Sequence, residues 1–60
     1  MKWSEVRRKA EKRGWYLHRN GAKHDIYRHP DKDFDIQIGR HGSEEVAKGL
    51  QSKLKKQIGF

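Results

Sequence analysis

No cysteine occurs among the 60 residues, which excludes disulfides, thiolate metal sites and thiol redox chemistry. Proline occurs once, at Pro30. No apolar run approaches the ~20 residues that a membrane span needs, and Met1-Lys2-Trp3-Ser4 does not open the apolar core of a secretory signal. The expected location is therefore the cytoplasm, with no membrane partner. Negative charge is also scarce: eight Asp and Glu stand against 15 Lys and Arg, for a formal net charge of +7. Apolar residues make up only 32% of the chain, about the least that can cover one face of a small sheet with helices. A chain of this size is expected to form one domain, residues 1–60.

What is present is positive charge, and it predicts an anionic partner. Nucleic acid is the first candidate, an acidic protein the second and an anionic membrane surface the third. The bland reading of the same charge is a solvated surface that keeps the protein soluble.

Hydrophobic periodicity divides the chain into five elements. Trp3 to Arg13 reads as a helix, with Ser4 as N-cap, Glu5 in the first turn and Trp3, Val6 and Ala10 along one apolar stripe. Gly14 has the role of the glycine that ends a helix. Trp15 to Arg19 alternates as a first strand, His24 to Arg28 reads as a second, and Phe34 to Ile38 is the cleanest third, with Phe34, Ile36 and Ile38 facing the core. His29-Pro30-Asp31-Lys32-Asp33 is a turn-rich loop, and Gly39-Arg40-His41-Gly42 a flexible connector. Ser43 reads as the cap of a second helix with Glu44 and Glu45 in its first turn and Lys53, Lys55 and Lys56 near its end. Val46, Ala47, Leu50, Leu54 and Ile58 form its buried stripe, and Gly59-Phe60 closes it in a Schellman-like pattern. The expected fold is α+β, in the order α-β-β-β-α: a three-stranded antiparallel sheet with both helices on one face.

The stretch Asn20-Gly21-Ala22-Lys23-His24 carries the chemistry. Asn-Gly is a hairpin signal because both residues tolerate positive φ. His24 then opens the second strand with Lys23 beside it. Strict alternation groups His24 with Ile26 and Arg28, and Asp25 with Tyr27, so His24 points inward if Ile26 is core and outward if Tyr27 is core.

An imidazole with an ordinary pKa near 6.5 suits proton transfer at neutral pH. RNA carries its own nucleophile in the 2′-OH, so cleavage of its phosphodiester requires no metal or cofactor, only proton transfer and positive charge on the phosphorane. Lys23, Arg28 or Arg40 are candidates for that charge, and His41 and Tyr27 for the second proton-transfer group. The basic residues of the first helix, including Arg7, Arg8 and Lys12, together with Lys53, are candidates for phosphate contacts that read no sequence. Tyr16 is a candidate for base stacking, whereas Trp3 and Trp15 read as core. His18, His24, His29 and His41 lack the close spacing of a His-rich zinc motif.

Together, Ser4-Glu5, Gly14-Trp15, Gly21 to Tyr27, Arg28-His29-Pro30, Arg40-His41, Gly49-Leu50 and Leu54 to Phe60 resemble the HicA family of bacterial toxins, in order and spacing over nearly the whole chain. The resemblance implies a fold like that of a double-stranded-RNA-binding domain. It also implies an mRNA interferase activity, an essential His matching His24, and neutralisation by a HicB-type antitoxin that masks His24. The chain departs from the family's common Gly-Ser-His pattern, because Ala22-Lys23 stand before His24. It also has Gly39 where relatives often carry proline. A non-catalytic RNA-binding module is the alternative that charge and element order alone support.

Overall fold

The computed structural model describes residues 1–60. Helix α1 spans Trp3–Lys12, followed by strands β1 (Tyr16–Asn20), β2 (His24–Arg28) and β3 (Ile36–Gly39) and helix α2 (Lys48–Ile58). The strands form one antiparallel sheet in the order β1-β2-β3, so the α-β-β-β-α reading of the fold holds and is compatible with a double-stranded-RNA-binding-domain arrangement. One apolar cluster joins Trp3, Val6 and Ala10 of α1 to Trp15, Tyr27, Ile36, Ile38 and Val46, and to Leu54 and Ile58 of α2. Both helices thus bury their stripes on the same sheet face, as amphipathic elements in a two-layer fold must.

Backbone hydrogen bonds explain where the elements stop. Gly14 adopts φ 94°, the Gly14 N–H donates to the Glu11 carbonyl at 3.1 Å and the Trp15 N–H to the Ala10 carbonyl at 3.1 Å. This is a Schellman closure, and it turns the chain so that Trp15 enters the core. Helix α2 ends on Gly59 at φ 95°, whose N–H donates to the Lys55 carbonyl at 2.9 Å; this is the single-bond αL cap rather than the full Schellman pair. Lys55 and Lys56 occupy its last turn as expected.

Both helix starts differ from the sequence expectation for one reason. The N-cap of α1 is Lys2, not Ser4, and that of α2 is Ala47, not Ser43, with no acidic residue in the first turn. The segment preceding α2 runs antiparallel to the chain's first residues instead. Lys2 bridges Glu45, the Val46 N–H donates to the Met1 carbonyl at 2.9 Å, and the Trp3 and Ser4 N–H groups donate to the Glu44 and Gly42 carbonyls at 3.1 Å each. Main-chain carbonyls from a distant segment thereby satisfy donors at the start of α1 that a capping side chain would otherwise serve. Glu45 is drawn to the terminal ammonium at 2.9 Å, which also holds its carboxyl below the usual glutamate range. The later start leaves Ala47 and Leu50 exposed, contrary to the stripe expected of them. Phe34 likewise precedes β3 and is 38% exposed, leaning on Trp15 with ring centroids 5.8 Å apart.

Candidate functional site

The face of His24 follows from register. Asp25 pairs with Ile38 and Tyr27 with Ile36, and directly opposed residues share a face. Because Ile36, Ile38 and Tyr27 belong to the core, Asp25 also faces the helices. Alternation then turns His24, Ile26 and Arg28 to the open face of the sheet. His24 lines a cleft of about 290 Å³ together with Arg19, Gly21, Ala22, Lys23, Ile26 and Gln37. Of the two orientations that the sequence leaves open, the chain adopts the outward one.

The β1–β2 turn delivers His24 through a close backbone approach. The Gly21 N–H donates to the His24 carbonyl at 2.9 Å, and a Cβ at Gly21 would stand 2.7 Å from that carbonyl oxygen. Neither Asn20 nor Gly21 has positive φ, so the turn is not the two-residue type that Asn-Gly suggests. Glycine is required here for space rather than for backbone conformation. Asn20 instead donates from Nδ2 to the Asp25 carboxylate at 2.8 Å.

Arg19 reaches the cleft because β1 carries an irregularity. The pairing shifts between Leu17, opposite Tyr27, and Arg19, opposite Ile26. The extra residue, His18, changes which side of the sheet the following residues occupy. Without it Arg19 would share the face of Leu17, two residues earlier and opposite Tyr27, and point toward the helices. Period-two patterning contains no signal for such a bulge, so Arg19 is absent from the sequence-derived site. Arg19 and Lys23 are exposed and make no ion pair, and no carboxylate lines the cleft.

Beneath the turn lies an ion cluster built around a buried carboxylate. Asp25 is only 9% exposed. Its carboxylate accepts from Arg40 Nε at 2.9 Å and lies 3.6 Å from an Arg7 terminal nitrogen. The hydrogen bonds from Arg40 and Asn20 hold the Asp25 carboxyl below its ordinary 3.8, outweighing burial. Arg40 also donates to the Gly21 carbonyl, and Arg7 donates to the Gly39 carbonyl at 3.1 Å, leaving its own Nε buried without a partner. Tyr27 sits on this inner side, its phenol pushed up by burial against the opposing Arg7 charge. It is therefore not beside His24.

The other sequence candidates fall elsewhere. Arg28 lies at the far end of β2 and pairs with Asp35 at 2.9 Å. His41 is exposed on the loop after β3, which leaves the sheet at the His24 end, since His24 pairs with Gly39. Arg8 and Lys12, with Glu5, Lys9 and Arg13, line the largest groove, about 480 Å³, along the back of α1. That groove contains no apolar residue and no buried polar group, and it is the space between charged side chains on a helix surface. Lys53 lies beside Leu50, Leu54 and Gln57 where α2 meets the β3 edge. His29 is structural. The Asp31 N–H donates to Nδ1 at 3.0 Å, which fixes the neutral Nε2–H tautomer, and Nε2 then donates to the Arg13 carbonyl at 2.7 Å. No group of three or more His, Asp or Glu side chains converges as a metal site, and no helix is long and apolar enough to cross a membrane.

Fold and site together define a small basic α+β domain that presents a half-buried histidine between unpaired cations on an open sheet face. The family model described as HicA toxin of bacterial toxin-antitoxin matches residues 3–60, and the chain belongs to that family. It is thus a toxin of a toxin–antitoxin pair. No individual curated protein matches the chain.

Proposed function

We propose that the chain is an endoribonuclease toxin that cleaves mRNA, with His24 as its proton-transfer residue. The observation that carries this reading is the placement of His24 in a cleft with Arg19 and Lys23 and no acidic side chain. In the proposed reaction His24 takes the proton of a 2′-OH. The freed oxygen attacks the adjacent phosphorus, the bond to the 5′-oxygen breaks, and the products are a 2′,3′-cyclic phosphate and a 5′-OH. Arg19 and Lys23 face the charge that builds on the non-bridging oxygens, the place where fixed cations lower the barrier most. The leaving 5′-oxygen needs a proton, and of the two candidate donors only His41 is exposed at this end of the sheet; Tyr27 is buried on the other side. The substrate supplies its own nucleophile, so the chemistry requires no bound metal.

The same face serves as the target of a HicB-type antitoxin that covers His24. An excess of positive charge at +7 favours an acidic partner surface. Both toxin and antitoxin act in the cytoplasm in this reading.

Purified His24→Ala protein tests the assignment. It should keep the wild-type circular dichroism spectrum and antitoxin binding while losing RNA cleavage by at least the ~10²–10⁴-fold typical of general acid–base catalysis. Cleavage at the wild-type rate would refute the role of His24. Salt-sensitive RNA binding by the wild type with no cleavage over hours would leave a non-catalytic binding module.

A further inference from the structure

The open sheet face extends well beyond the His24 cleft, and one side chain on it has no structural task. Tyr16 opposes Arg28 in the β1–β2 register, which places it on the same face as Arg28, Ile26 and His24. Its side chain is 49% exposed. It forms no aromatic pair and no side-chain hydrogen bond within the chain. Trp15, one residue earlier, is buried among Phe34 and His29. Between Tyr16 and His24 lie Ile26, buried beneath its neighbours at 8% exposed, and Arg19, an unpaired cation. Arg28 stands beside Tyr16 and is held in place by Asp35.

We infer that this face is a track for single-stranded RNA, on which Tyr16 stacks a base roughly two nucleotides from the linkage held at His24. The inference rests on the endoribonuclease reading and names its substrate form. From Arg28, the partner of Tyr16, to His24 is four residues along β2, or about 13 Å at ~3.3 Å per residue. An aromatic ring at one end of a sheet face and cations along it match the way sheet surfaces hold unpaired nucleotides, through stacking that tolerates any base and charge that follows the backbone. A duplex cannot use this track, because its bases are already stacked and paired. A duplex also holds each 2′-OH out of line with the bond that must break, whereas a splayed single strand can rotate it into line. The face carries Asp35 as a carboxylate, but Arg28 neutralises it, so the track stays positive.

The test uses His24→Ala protein, which holds RNA without cutting it, and fluorescently tagged oligoribonucleotides of about 12 nucleotides, single-stranded or annealed to a complement. Single strands should bind more tightly than the duplex by anisotropy. Adding Tyr16→Ala should weaken single-strand binding by roughly 5- to 150-fold, the range typical of one stacked base, while Tyr16→Phe retains it. With His24 intact, Tyr16→Ala should raise KM for the oligonucleotide and leave a dinucleoside monophosphate, too short to reach Tyr16, unaffected. Unchanged single-strand affinity in Tyr16→Ala, or equal losses for single strand and duplex, overturns the inference. So does a Tyr16→Ala defect confined to antitoxin binding, which would make the face a protein-docking surface only. If His24→Ala still cleaves while Tyr16→Ala loses single-strand affinity, the catalytic assignment falls and the track stands; the opposite pair of results removes the track alone.

Discussion

Arg40 Nε donates to Asp25 Oδ1 at 2.9 Å, and this bond connects the core to the turn that carries His24. Arg40 holds the Gly21 carbonyl, and the Gly21 N–H holds the His24 carbonyl. Asp25 is in turn fixed by Asn20 and faced by Arg7 of α1. Asp25→Asn removes the charge that compensates two arginines. Breaking a buried pair from one side costs about 3–5 kcal/mol, but Arg7 and Arg40 are partly exposed and solvent takes up part of that cost. A loss of about 2 kcal/mol is expected, which for a domain of this size lowers Tm by roughly 10 °C. Thermal melts followed by circular dichroism measure it, and a variant that melts like wild type contradicts the clamp.

The same carboxylate gives the fold a defined acid limit. Its folded pKa is depressed below the ordinary 3.8, so the native state binds fewer protons than the unfolded chain across that interval. The stabilisation is therefore complete above the ordinary aspartate range and is lost as pH falls through the lower, folded value. Urea midpoints measured from pH 7 downward should hold until about pH 5 and then fall, and the fall should be shallower in Asp25→Asn. An identical acid profile in the variant would assign the limit to other carboxylates.

Gly21 and His29 test position against scaffold. A methyl group at Gly21 would meet the His24 carbonyl oxygen at 2.7 Å, a main-chain contact that only a shift of the turn relieves. Gly21→Ala should cost about 1–3 kcal/mol and reduce cleavage beyond what the lost stability explains when assayed well below its Tm. His29→Ala removes the hydrogen bond to the Arg13 carbonyl that ties the β2–β3 loop to the end of α1, and the bond from the Asp31 N–H that braces the loop itself. It should cost about 1–2 kcal/mol in chemical denaturation and leave the cleavage rate of the folded fraction unchanged. A cleavage defect in His29→Ala larger than that in Gly21→Ala reverses the assignment of the two residues.

These contrasts also mark what the sequence makes legible. The Trp3/Val6/Ala10 stripe, the Gly14 stop, the Ile36/Ile38 alternation and the closing Gly59 are local patterns, and the chain follows each. Ser43-Glu44-Glu45 is an equally good local pattern for a helix start, yet it loses to main-chain pairing with Met1 to Ser4, a contact between segments some forty residues apart. In the candidate site, the position of Lys23 and His24 at the strand opening is readable from the residue pattern of β2 itself, although the type of the turn before it is not. Arg19 is not, since a single bulge decides its face. The carboxylate partners of Arg28 and Arg40 are equally hidden: Asp35 and Asp25 find them only through the folded geometry.

Unpaired and paired cations should separate cleanly in the salt dependence of RNA binding. Each cation that neutralises a phosphate of a single strand contributes about 0.7 to the slope of log K against log salt. Arg19 and Lys23 are exposed and bond to no carboxylate, so Arg19→Ala and Lys23→Ala should each flatten the slope by about that amount without changing Tm. Arg7 is committed to Gly39 and Asp25, so Arg7→Ala should lower Tm and leave the slope nearly unchanged. Arg28, bonded to Asp35 at a half-exposed site, should fall between them, because releasing it to a phosphate strands a carboxylate that water readily takes up. Binding isotherms for the His24→Ala background at several salt concentrations give the slopes directly. If Arg7→Ala flattens the slope as much as Lys23→Ala does, then the inner cluster opens on binding and the cleft on the outer face is not the sole phosphate contact.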